Sequence, residues 1–215
     1  MDLRGCIFDL DGVIVDTAKY HFMAWRRLAK ELGFVFTLED NEALKGVSRM
    51  ASLEILLSKG GITVSEKEKE FLAARKNGWY VEFISGMKPD EILPGSVKLL
   101  KALRKEGILT AIGSASKNAG TILDGIGLRE MFDVIIDGNK ISKAKPDPEV
   151  FLRGAAEMGL NPSACVVFED AQAGIEAALA GGMKCVGVGS PELLGRASIV
   201  IPGLEKITIK QLRNL

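Results

Sequence analysis

The sequence contains few cysteines, and their number and spacing exclude the sites that cysteine usually builds. Three are present in 215 residues, Cys6, Cys165 and Cys185, so they cannot all pair within one chain. None has the Cys-x-x-Cys spacing typical of zinc or thiol redox centres. Each lies in or beside an apolar run. We therefore predict three small buried side chains in a protein from a reducing compartment.

The chain also lacks an excess of charge and a long apolar segment. Lys and Arg together number 28, as do Asp and Glu, so no overall field favours nucleic acid or an anionic membrane. No apolar stretch approaches the roughly 18 residues of a membrane span. The first residues lead into a short apolar run without a basic leader or a cleavage site. We expect a cytoplasmic protein with neither a nucleic-acid nor a membrane partner.

Short apolar runs alternate with helical patterns along most of the chain. The β-branched apolar runs, each followed by glycine or polar residues, are 5–8, 108–112, 134–136, 165–168, 184–188 and 199–201. Helical patterns lie between them at 95–106, 117–125, 147–158 and 172–180. For the third helix, Asp147 is the expected N-cap and Pro148 the first helical residue. This alternation predicts a doubly wound, Rossmann-like α/β fold with a buried parallel sheet.

The segment 15–88 has a different pattern. Helical patterns follow one another there without a strong strand pattern between them, at 20–32, 51–57 and 66–83. The first has an apolar residue at every fourth position and is expected to stop at Gly33. We therefore predict a helical cap domain at 15–88, inserted into an α/β core that consists of 1–14 and 89–215.

Two aspartates, Asp9 and Asp11, follow the first predicted strand. Ligands of open parallel sheets bind outside the carboxyl ends of the strands, so both acids lie where a ligand is expected. In extended backbone, alternate residues also point to the same side. Asp11 followed by Gly12 is equally typical of an ordinary turn in which aspartate only caps a helix. Considered alone, the pair leaves both interpretations open.

Polar or charged residues follow three more of the predicted strands. Ser114 begins a hydroxyl-rich loop with Lys117, which either holds an anion at a helix N-terminus or only caps that helix. Lys145 lies in a proline-rich turn and is either a rigidly placed charge or a solvated loop lysine. Glu169 and Asp170 suit an oxygen-ligated Mg²⁺, although acids at a helix N-terminus are favourable without a metal.

These four strand ends together predict one site at one edge of the sheet. They supply carboxylates, a hydroxyl and an ammonium, a set that suits phosphoryl transfer through an aspartyl phosphate. In that chemistry one aspartate attacks phosphorus, Mg²⁺ offsets charge, and serine and lysine hold the phosphoryl oxygens.

The four segments, in their order along the chain, resemble the motif blocks of the haloacid dehalogenase superfamily of phosphotransferases: Asp9-Leu10-Asp11-Gly12, Ser114, Lys145-Pro146 and Glu169-Asp170. The resemblance spans nearly the whole chain. It implies that Asp9 is the nucleophile and Asp11 the general acid/base, with Ser114 and Lys145 completing the catalytic set. It also implies a Mg²⁺ held by Asp9, the backbone carbonyl of Asp11, and Glu169-Asp170. The helical insert then corresponds to the mobile cap of the superfamily.

The cap sequence narrows the resemblance to phosphomutases of this superfamily that act on glucose phosphates. The segments that carry it are 16–25, 44–49 and 75–77 in the cap, together with 114–118 in the core. The substrate contacts that it implies are Thr17, His21, Trp25, Gly46, Val47, Ser48, Arg49, Ser52, Lys76, Ala115, Ser116, Lys117 and Asn118. In this scheme Arg49 and 116–118 hold the phosphate that does not react, while His21 and Lys76 orient Asp11 and the sugar.

Three of these features have ordinary structural explanations as well. A single histidine on an otherwise apolar helix, as His21 is, is commonly a partly buried structural group. Trp25 lies in the apolar stripe of the same helix, where packing is the usual role. Residues 45–49 have the composition of a basic loop. The segment 138–143 departs from the family pattern, and we expect it to change only a surface loop.

The activity implied by the resemblance is interconversion of β-D-glucose 1-phosphate and glucose 6-phosphate through a phosphorylated Asp9 and a glucose 1,6-bisphosphate. Mg²⁺ is the expected cofactor, a hexose phosphate the expected substrate and a monomer the expected state. One alternative is a sugar-phosphate phosphatase, in which water accepts the phosphoryl group. Another is a non-catalytic protein that binds phosphorylated metabolites, and the intact Asp9 and Asp11 argue against it.

Overall fold

The computed structural model describes residues 1–44 and 47–215, which divide into two compact units. One unit comprises Met1–Asp16 and Lys88–Leu215, and the other comprises Thr17–Met87. These limits lie within two residues of the boundaries at 14/15 and 88/89 that the sequence suggests. In the described part of the chain, no helix is both long enough and apolar enough to cross a membrane.

The first unit is built on a six-stranded parallel sheet. Its strands are β1 (Gly5–Phe8), β2 (Leu109–Gly113), β3 (Val134–Ile136), β4 (Cys165–Glu169), β5 (Lys184–Val188) and β6 (Ile199–Ile201). They lie in the order β3-β2-β1-β4-β5-β6. The strand order reverses between β1 and β4, and such a switch point is where open α/β sheets bind ligands. The predicted doubly wound α/β fold is confirmed.

The α-helices are numbered along the chain. Those of the second unit are α1 (Ala18–Glu31), α2 (Leu38–Glu42), α3 (Arg49–Lys59) and α4 (Glu66–Ile84). Those of the first unit are α5 (Ser96–Lys105), α6 (Ala119–Gly125), α7 (Glu149–Glu157), α8 (Gln172–Ala180), α9 (Pro191–Leu194) and α10 (Ile209–Arg213).

One hydrophobic core of the first unit lies between the sheet and α7 and α8. Ile7, Ala111 and Val167 contribute to it from three neighbouring strands. Phe8 and Phe168 come next along their strands, and their rings stack with centroids 4.5 Å apart. Because successive strand residues point to opposite faces and all of these residues are buried, both faces of the sheet are covered.

The three cysteines belong to this sheet, as expected from their apolar neighbours. Cys6, Cys165 and Cys185 are buried, and none forms a disulfide. Burial raises the pKa of all three thiols, which keeps them protonated and unreactive at neutral pH.

The start of α7 differs from the prediction. The helix begins at Glu149, and Pro148 is the N-cap residue rather than the first helical residue. The carboxylate of Asp147 accepts a hydrogen bond from the backbone N–H of Glu149 at 3.0 Å. The helix therefore starts one residue later than predicted, and Asp147 stabilises its start through a local turn from the position before the N-cap.

In the described residues of the second unit, all regular secondary structure is helical, and turns and short extended segments connect the helices. Helix α1 buries Ala24, Trp25, Leu28 and Ala29, and it packs against α4, which also contacts α3. It ends two residues before Gly33, close to the predicted stop. The sequence pattern missed α2 because five residues are too short to show periodicity. Its available signal was the capping box of Thr37 and Asp40, in which each residue bonds the backbone of the other.

Candidate active site

The pairing of β1 with β4 brings the first acidic residues of two motif segments level with each other. Phe8 pairs with Phe168, so Asp9 and Glu169, the next residues along the chain, lie side by side. The backbone N–H of Asp9 donates to the carbonyl of Phe168 at 2.9 Å. Asp9 and Glu169 are both buried, at 6% and 1% exposed. Two carboxyl groups therefore occupy the carboxyl end of the sheet at its switch point.

Lys145 lies between these two carboxylates. Its Nζ is 2.5 Å from Oδ1 of Asp9 and 2.8 Å from Oε2 of Glu169. Burial opposes the charge of the lysine, but the two carboxylates outweigh it and raise the pKa of Lys145. The side chain is therefore an ammonium at neutral pH. Its burial excludes the alternative of a solvated loop lysine.

Asp170 completes an acidic cluster with Asp9 and Glu169. Each of the three offers a carboxylate oxygen, and these oxygens lie within 4.8 Å of one another. Burial raises the pKa of Glu169 and of Asp170, and the charges of the neighbouring carboxylates raise both further against the effect of Lys145. One ammonium does not offset this crowding. A divalent cation would, and an all-oxygen set suits Mg²⁺.

Glu169 already has partners for both of its oxygens. Oε2 accepts from Lys145, and Oε1 accepts from the backbone N–H of Ala171 at 3.2 Å. A carboxylate oxygen has two lone pairs, so these bonds orient Glu169 and still leave it able to ligate a cation. The residues present fit a magnesium site.

The backbone conformation and the surroundings of Gly12 explain why the first motif segment ends in glycine. Its φ is +78°, a left-handed conformation that favours glycine, and its N–H donates to the carbonyl of Val15 at 2.7 Å. A methyl group at Gly12 would lie 2.1 Å from Oδ2 of Asp170. The tight turn after half-buried Asp11 therefore leaves space for the acidic cluster.

Ser114 begins a loop that is held by its own hydroxyl groups. Its Oγ accepts from the backbone N–H of Ser116 at 3.1 Å, and Oγ of Ser116 accepts from the N–H of Asn118 at 3.2 Å. Ser114 itself is 1% exposed, whereas Ala115 and Lys117 are exposed. The loop therefore presents Lys117 to solvent from a fixed backbone.

The segment 138–143, which follows β3, is exposed over most of its length, and its first two residues support the Ser114 loop. The N–H of Gly138 donates to the carbonyl of Ser116 at 3.1 Å, and Nδ2 of Asn139 donates to the carbonyl of Lys117 at 3.0 Å. A methyl group at Gly138 would lie 2.3 Å from the carbonyl oxygen of Ala115. These contacts join residues about twenty positions apart, so no local sequence pattern reveals them.

The second unit contains its own polar cluster around His21. Nζ of Lys76 lies 2.9 Å from Nδ1 of His21, and the imidazole stacks on Tyr80 with centroids 4.1 Å apart. Burial lowers the pKa of His21, and the charges of Lys76 and Arg49 lower it further. His21 is therefore neutral at physiological pH. Sequence reasoning missed Tyr80, whose only signal is its position one helical turn after Lys76.

The other predicted cap residues differ in exposure. Thr17, Trp25 and Ser52 are buried, at 0%, 2% and 3% exposed, while Val47 and Ser48 are exposed. Oγ of Ser48 caps α3 by accepting from the backbone N–H of Ala51 at 3.3 Å. Arg49 begins that helix half-buried, and burial lowers its pKa. Lys45 and Gly46 lie outside the described residues.

The predicted site residues thus fall into two groups, one in each unit. In the first unit, Asp9, Glu169 and Asp170 hold carboxylate oxygens within 4.8 Å of one another, and Lys145 pairs with the first two. Ser114 follows β2 at the same edge of the sheet. His21, Trp25 and Lys76 cluster in the second unit. The first group has the chemical composition of a phosphoryl-transfer site.

Comparison with known proteins identifies the family. The sequence model of the haloacid dehalogenase-like hydrolase family matches residues 3–182. The chain belongs to this enzyme family, as the order of its motif segments predicted.

Within the family, the chain is similar to β-phosphoglucomutases. It is 41% identical to the β-phosphoglucomutase of Bacillus subtilis over 99% of this chain and 95% of that protein. The crystal structure of β-phosphoglucomutase from Clostridium difficile is also 41% identical and matches with a TM-score of 0.93 over 99% of this chain and 96% of that one. A fructose-1-phosphate phosphatase of Escherichia coli is 33% identical over 86% of this chain and 95% of its own length.

Proposed function

We propose that this chain is a Mg²⁺-dependent phosphomutase that interconverts β-D-glucose 1-phosphate and glucose 6-phosphate through an aspartyl phosphate and glucose 1,6-bisphosphate. The observation that carries the chemistry is the placement of Lys145 between Asp9 and Glu169. The choice of substrate is supported by 41% identity to a β-phosphoglucomutase over almost the whole of both chains.

Asp9 is the proposed nucleophile. One of its carboxylate oxygens forms a bond to phosphorus while the bond between phosphorus and the sugar oxygen breaks, and the electron pair of that bond leaves with the oxygen. Lys145 donates a hydrogen bond to the other carboxylate oxygen, Oδ1, and offsets negative charge as the phosphoryl group arrives. In the reverse direction a sugar hydroxyl attacks the phosphorus and regenerates the free carboxylate.

Asp9, Glu169, Asp170 and the backbone carbonyl of Asp11 are the proposed ligands of Mg²⁺. When bound, the ion supplies positive charge that offsets the phosphoryl oxygens and the crowded carboxylates. Asp170 and Glu169 contribute by holding their oxygens close together in a buried site.

Asp11 is the proposed general acid/base. It protonates the sugar oxygen as the bond to phosphorus breaks, and it removes the proton from the hydroxyl that attacks the aspartyl phosphate. The turn at Gly12 fixes the backbone next to it. Ser114 is proposed to hold a phosphoryl oxygen through its hydroxyl.

The second unit, Thr17–Met87, is the proposed cap. A mutase must hold a bisphosphate whose two ends exchange places, so it needs a second phosphate site. Arg49 and the loop 116–118 are the proposed holders of that phosphate, since a guanidinium binds two phosphate oxygens at once. The remaining predicted residues are proposed to form the sugar site, either by touching the sugar or by positioning a residue that does: Thr17, His21, Trp25, Gly46, Val47, Ser48, Ser52, Lys76 and Ala115.

A sugar-phosphate phosphatase is the second candidate function. It is favoured by the 33% identity to the fructose-1-phosphate phosphatase, which covers most of both chains. In a phosphatase, water rather than a sugar hydroxyl accepts the phosphoryl group from Asp9, and a strong second phosphate site brings no advantage.

A trapping experiment tests the aspartyl phosphate. The protein is incubated with Mg²⁺ and a small radiolabelled phosphoryl donor, and the acid-stable label on the chain is counted. We expect label on the wild type and on Asp90→Asn, a control at an exposed aspartate, and none on Asp9→Asn. An unlabelled wild type would support the non-catalytic alternative. A label that leaves only as inorganic phosphate, even with glucose 6-phosphate present, would support the phosphatase.

The proposal includes a cytoplasmic location and a monomeric state. Free, buried thiols fit a reducing compartment. Light scattering on the purified protein tests the state, and a mass of twice 23.1 kDa would contradict it.

A further inference from the structure

Lys76 carries a charged group into the interior of the helical unit. Its side chain is among the buried ones, at 2% exposed. Nζ lies 4.5 Å from the centroid of the Trp25 ring and 4.8 Å from that of the Tyr80 ring. Aromatic faces attract an ammonium, and the attraction is largest where the cation has lost its water. The two rings therefore stabilise a cation that burial would otherwise disfavour.

The positions of these side chains follow from helix geometry. His21 and Trp25 are four residues apart on α1, and Lys76 and Tyr80 are four residues apart on α4. Residues at this spacing lie on the same face of a helix, and α1 packs against α4. The two pairs therefore meet as one cluster, in which the Tyr80 ring also stacks on His21.

The contact between Lys76 and His21 defines where the imidazole proton lies. An ammonium has hydrogen-bond donors and no acceptor, so Nζ donates to Nδ1 at 2.9 Å. A neutral imidazole that accepts at Nδ1 carries its proton on Nε2. Because the pKa of His21 is lowered, the ring stays neutral at pH 7 and offers one donor, the Nε2–H.

We propose that Trp25 and Tyr80 are positioning residues whose rings hold Lys76 against Nδ1 of His21 and thereby fix the imidazole as an Nε2–H donor. Trp25 and Tyr80 are 2% and 1% exposed, which suits residues that act through another side chain. Trp25 then contributes through Lys76 rather than by touching the sugar. The acceptor of the Nε2–H is an oxygen of the hexose phosphate, and this part alone rests on the proposed function.

Nitrogen NMR of the imidazole tests the tautomer directly. His21 is the only histidine in the sequence, so ¹⁵N-histidine labelling gives one pair of ring signals. For the wild-type chain with Mg²⁺ at pH 7, we expect a protonated Nε2 and an unprotonated Nδ1. Lys76→Met removes the donor to Nδ1 of His21 and serves as the reference. In this variant we expect both ring signals to move toward the average of the two tautomers.

Ring removal separates positioning from packing. Tyr80→Leu is expected to shift both signals toward the Lys76→Met reference, whereas Tyr80→Phe, which keeps the ring, restores the wild-type values. Phe83→Leu is the matched control, since Phe83 lies on the same helix and its ring packs near Tyr20 rather than Lys76. Wild-type signals in Tyr80→Leu would overturn the proposal, as would an equal shift in Phe83→Leu.

Fluorinated tryptophan tests Trp25 without removing its bulk. In a Trp79→Phe background Trp25 is the only tryptophan, and fluorination weakens the attraction of its ring for a cation while changing its size little. We expect the Nδ1 signal to move stepwise with the number of fluorines, and kcat/KM for β-D-glucose 1-phosphate to fall by about fivefold to twentyfold. Unchanged ring signals across the fluorinated series would overturn the role of Trp25. This test remains valid even if the Trp25→Leu variant fails to fold.

The tautomer of His21 and the mutase activity test different claims. Tautomer shifts in a chain without mutase activity would leave the positioning role intact and remove the proposed substrate. Full mutase activity with an imidazole protonated on Nδ1 would remove the positioning role and leave the proposed function intact.

Discussion

The ammonium of Lys145 lies 2.5 Å from a carboxylate oxygen of Asp9, and both side chains are buried. A buried ion pair is costly to break from one side, because the remaining charge is left without compensation. The same contact that pairs the two buried charges also orients the carboxylate whose other oxygen is proposed to attack phosphorus. The ion pair between Lys145 and Asp9 therefore contributes both to the stability of the fold and to the proposed reaction.

Replacement of Asp11 tests the acid/base role. Asn keeps the size and polarity of the side chain but cannot transfer a proton, so turnover of β-D-glucose 1-phosphate should fall by about 10²–10⁴-fold. Binding of the sugar phosphate, measured by calorimetry, should change little. An Asp11→Asn variant that turns over at the wild-type rate would exclude Asp11 from this role.

Removal of the metal should abolish activity. The carboxylates of Asp9, Glu169 and Asp170 need a cation to offset them before another anion can approach. We expect no turnover after treatment with a chelator and full recovery with Mg²⁺. Turnover without any divalent cation would exclude the proposed metal site.

The stability of the metal-free protein should depend on pH in a defined direction. Burial raises the pKa of Glu169 and Asp170, so between pH 6.5 and 8 the folded chain still binds protons that the unfolded chain has already lost. Stability therefore falls as pH rises through this window. We expect a decrease of about 1–2 kcal/mol in the free energy of unfolding, measured with urea in the presence of a chelator.

Two further conditions isolate the origin of this effect. Below pH 6.5 the lowered pKa of His21 acts in the opposite direction, since the unfolded chain gains that proton first. Asp170→Asn should reduce the slope, and saturating Mg²⁺ should remove most of it. Stability that rises across the window in the metal-free wild type would contradict the assigned pKa directions.

Asn139 should affect substrate affinity although it lies outside the proposed contacts. Its side chain holds the carbonyl of Lys117, so Asn139→Ala loosens the loop proposed to bind the second phosphate. We expect KM for β-D-glucose 1-phosphate to rise by about threefold to tenfold with a smaller change in kcat. Asn161→Ala, which removes a comparable turn contact elsewhere in the first unit, is the control. Equal effects of both variants would show a general loss of stability.

Arg49 separates a mutase from a phosphatase. Lysine cannot replace the two parallel hydrogen bonds of a guanidinium to phosphate, so Arg49→Lys should lower hexose-phosphate turnover by about 10- to 100-fold. Phosphorylation of Asp9 by a small donor, measured on the same preparation, should be nearly unchanged because that donor needs no second phosphate site. No loss in either rate would remove Arg49 from the site and favour the phosphatase.

The strands of the sheet can be predicted well from the sequence, because each one is marked by a short apolar run. Apolar runs such as 134–136 and 184–188 coincide with β3 and β5, and the polar and charged residues at the ends of four strands can be located by position alone. The topology then brings Asp9 next to Glu169 through the register of β1 and β4, which the general rules of parallel sheets anticipate.

Contacts between distant segments could not be predicted in this way. The support of Ser116 by Gly138 and the stacking of Tyr80 on His21 each depend on tertiary packing, and neither leaves a periodic pattern. The start of α7 was misplaced for a related reason, since the bond from Glu149 to the Asp147 carboxylate is a detail of local turn geometry. Helix propensity and capping preference allow either arrangement.

The central proposal is tested most directly by one assay with two products. Wild-type protein is given β-D-glucose 1-phosphate, Mg²⁺ and a trace of glucose 1,6-bisphosphate, and glucose 6-phosphate and inorganic phosphate are measured in the same sample. A phosphomutase converts the substrate to glucose 6-phosphate while inorganic phosphate stays at a small fraction of the product. Release of one inorganic phosphate for each glucose 1-phosphate consumed, without glucose 6-phosphate, would contradict the proposed function.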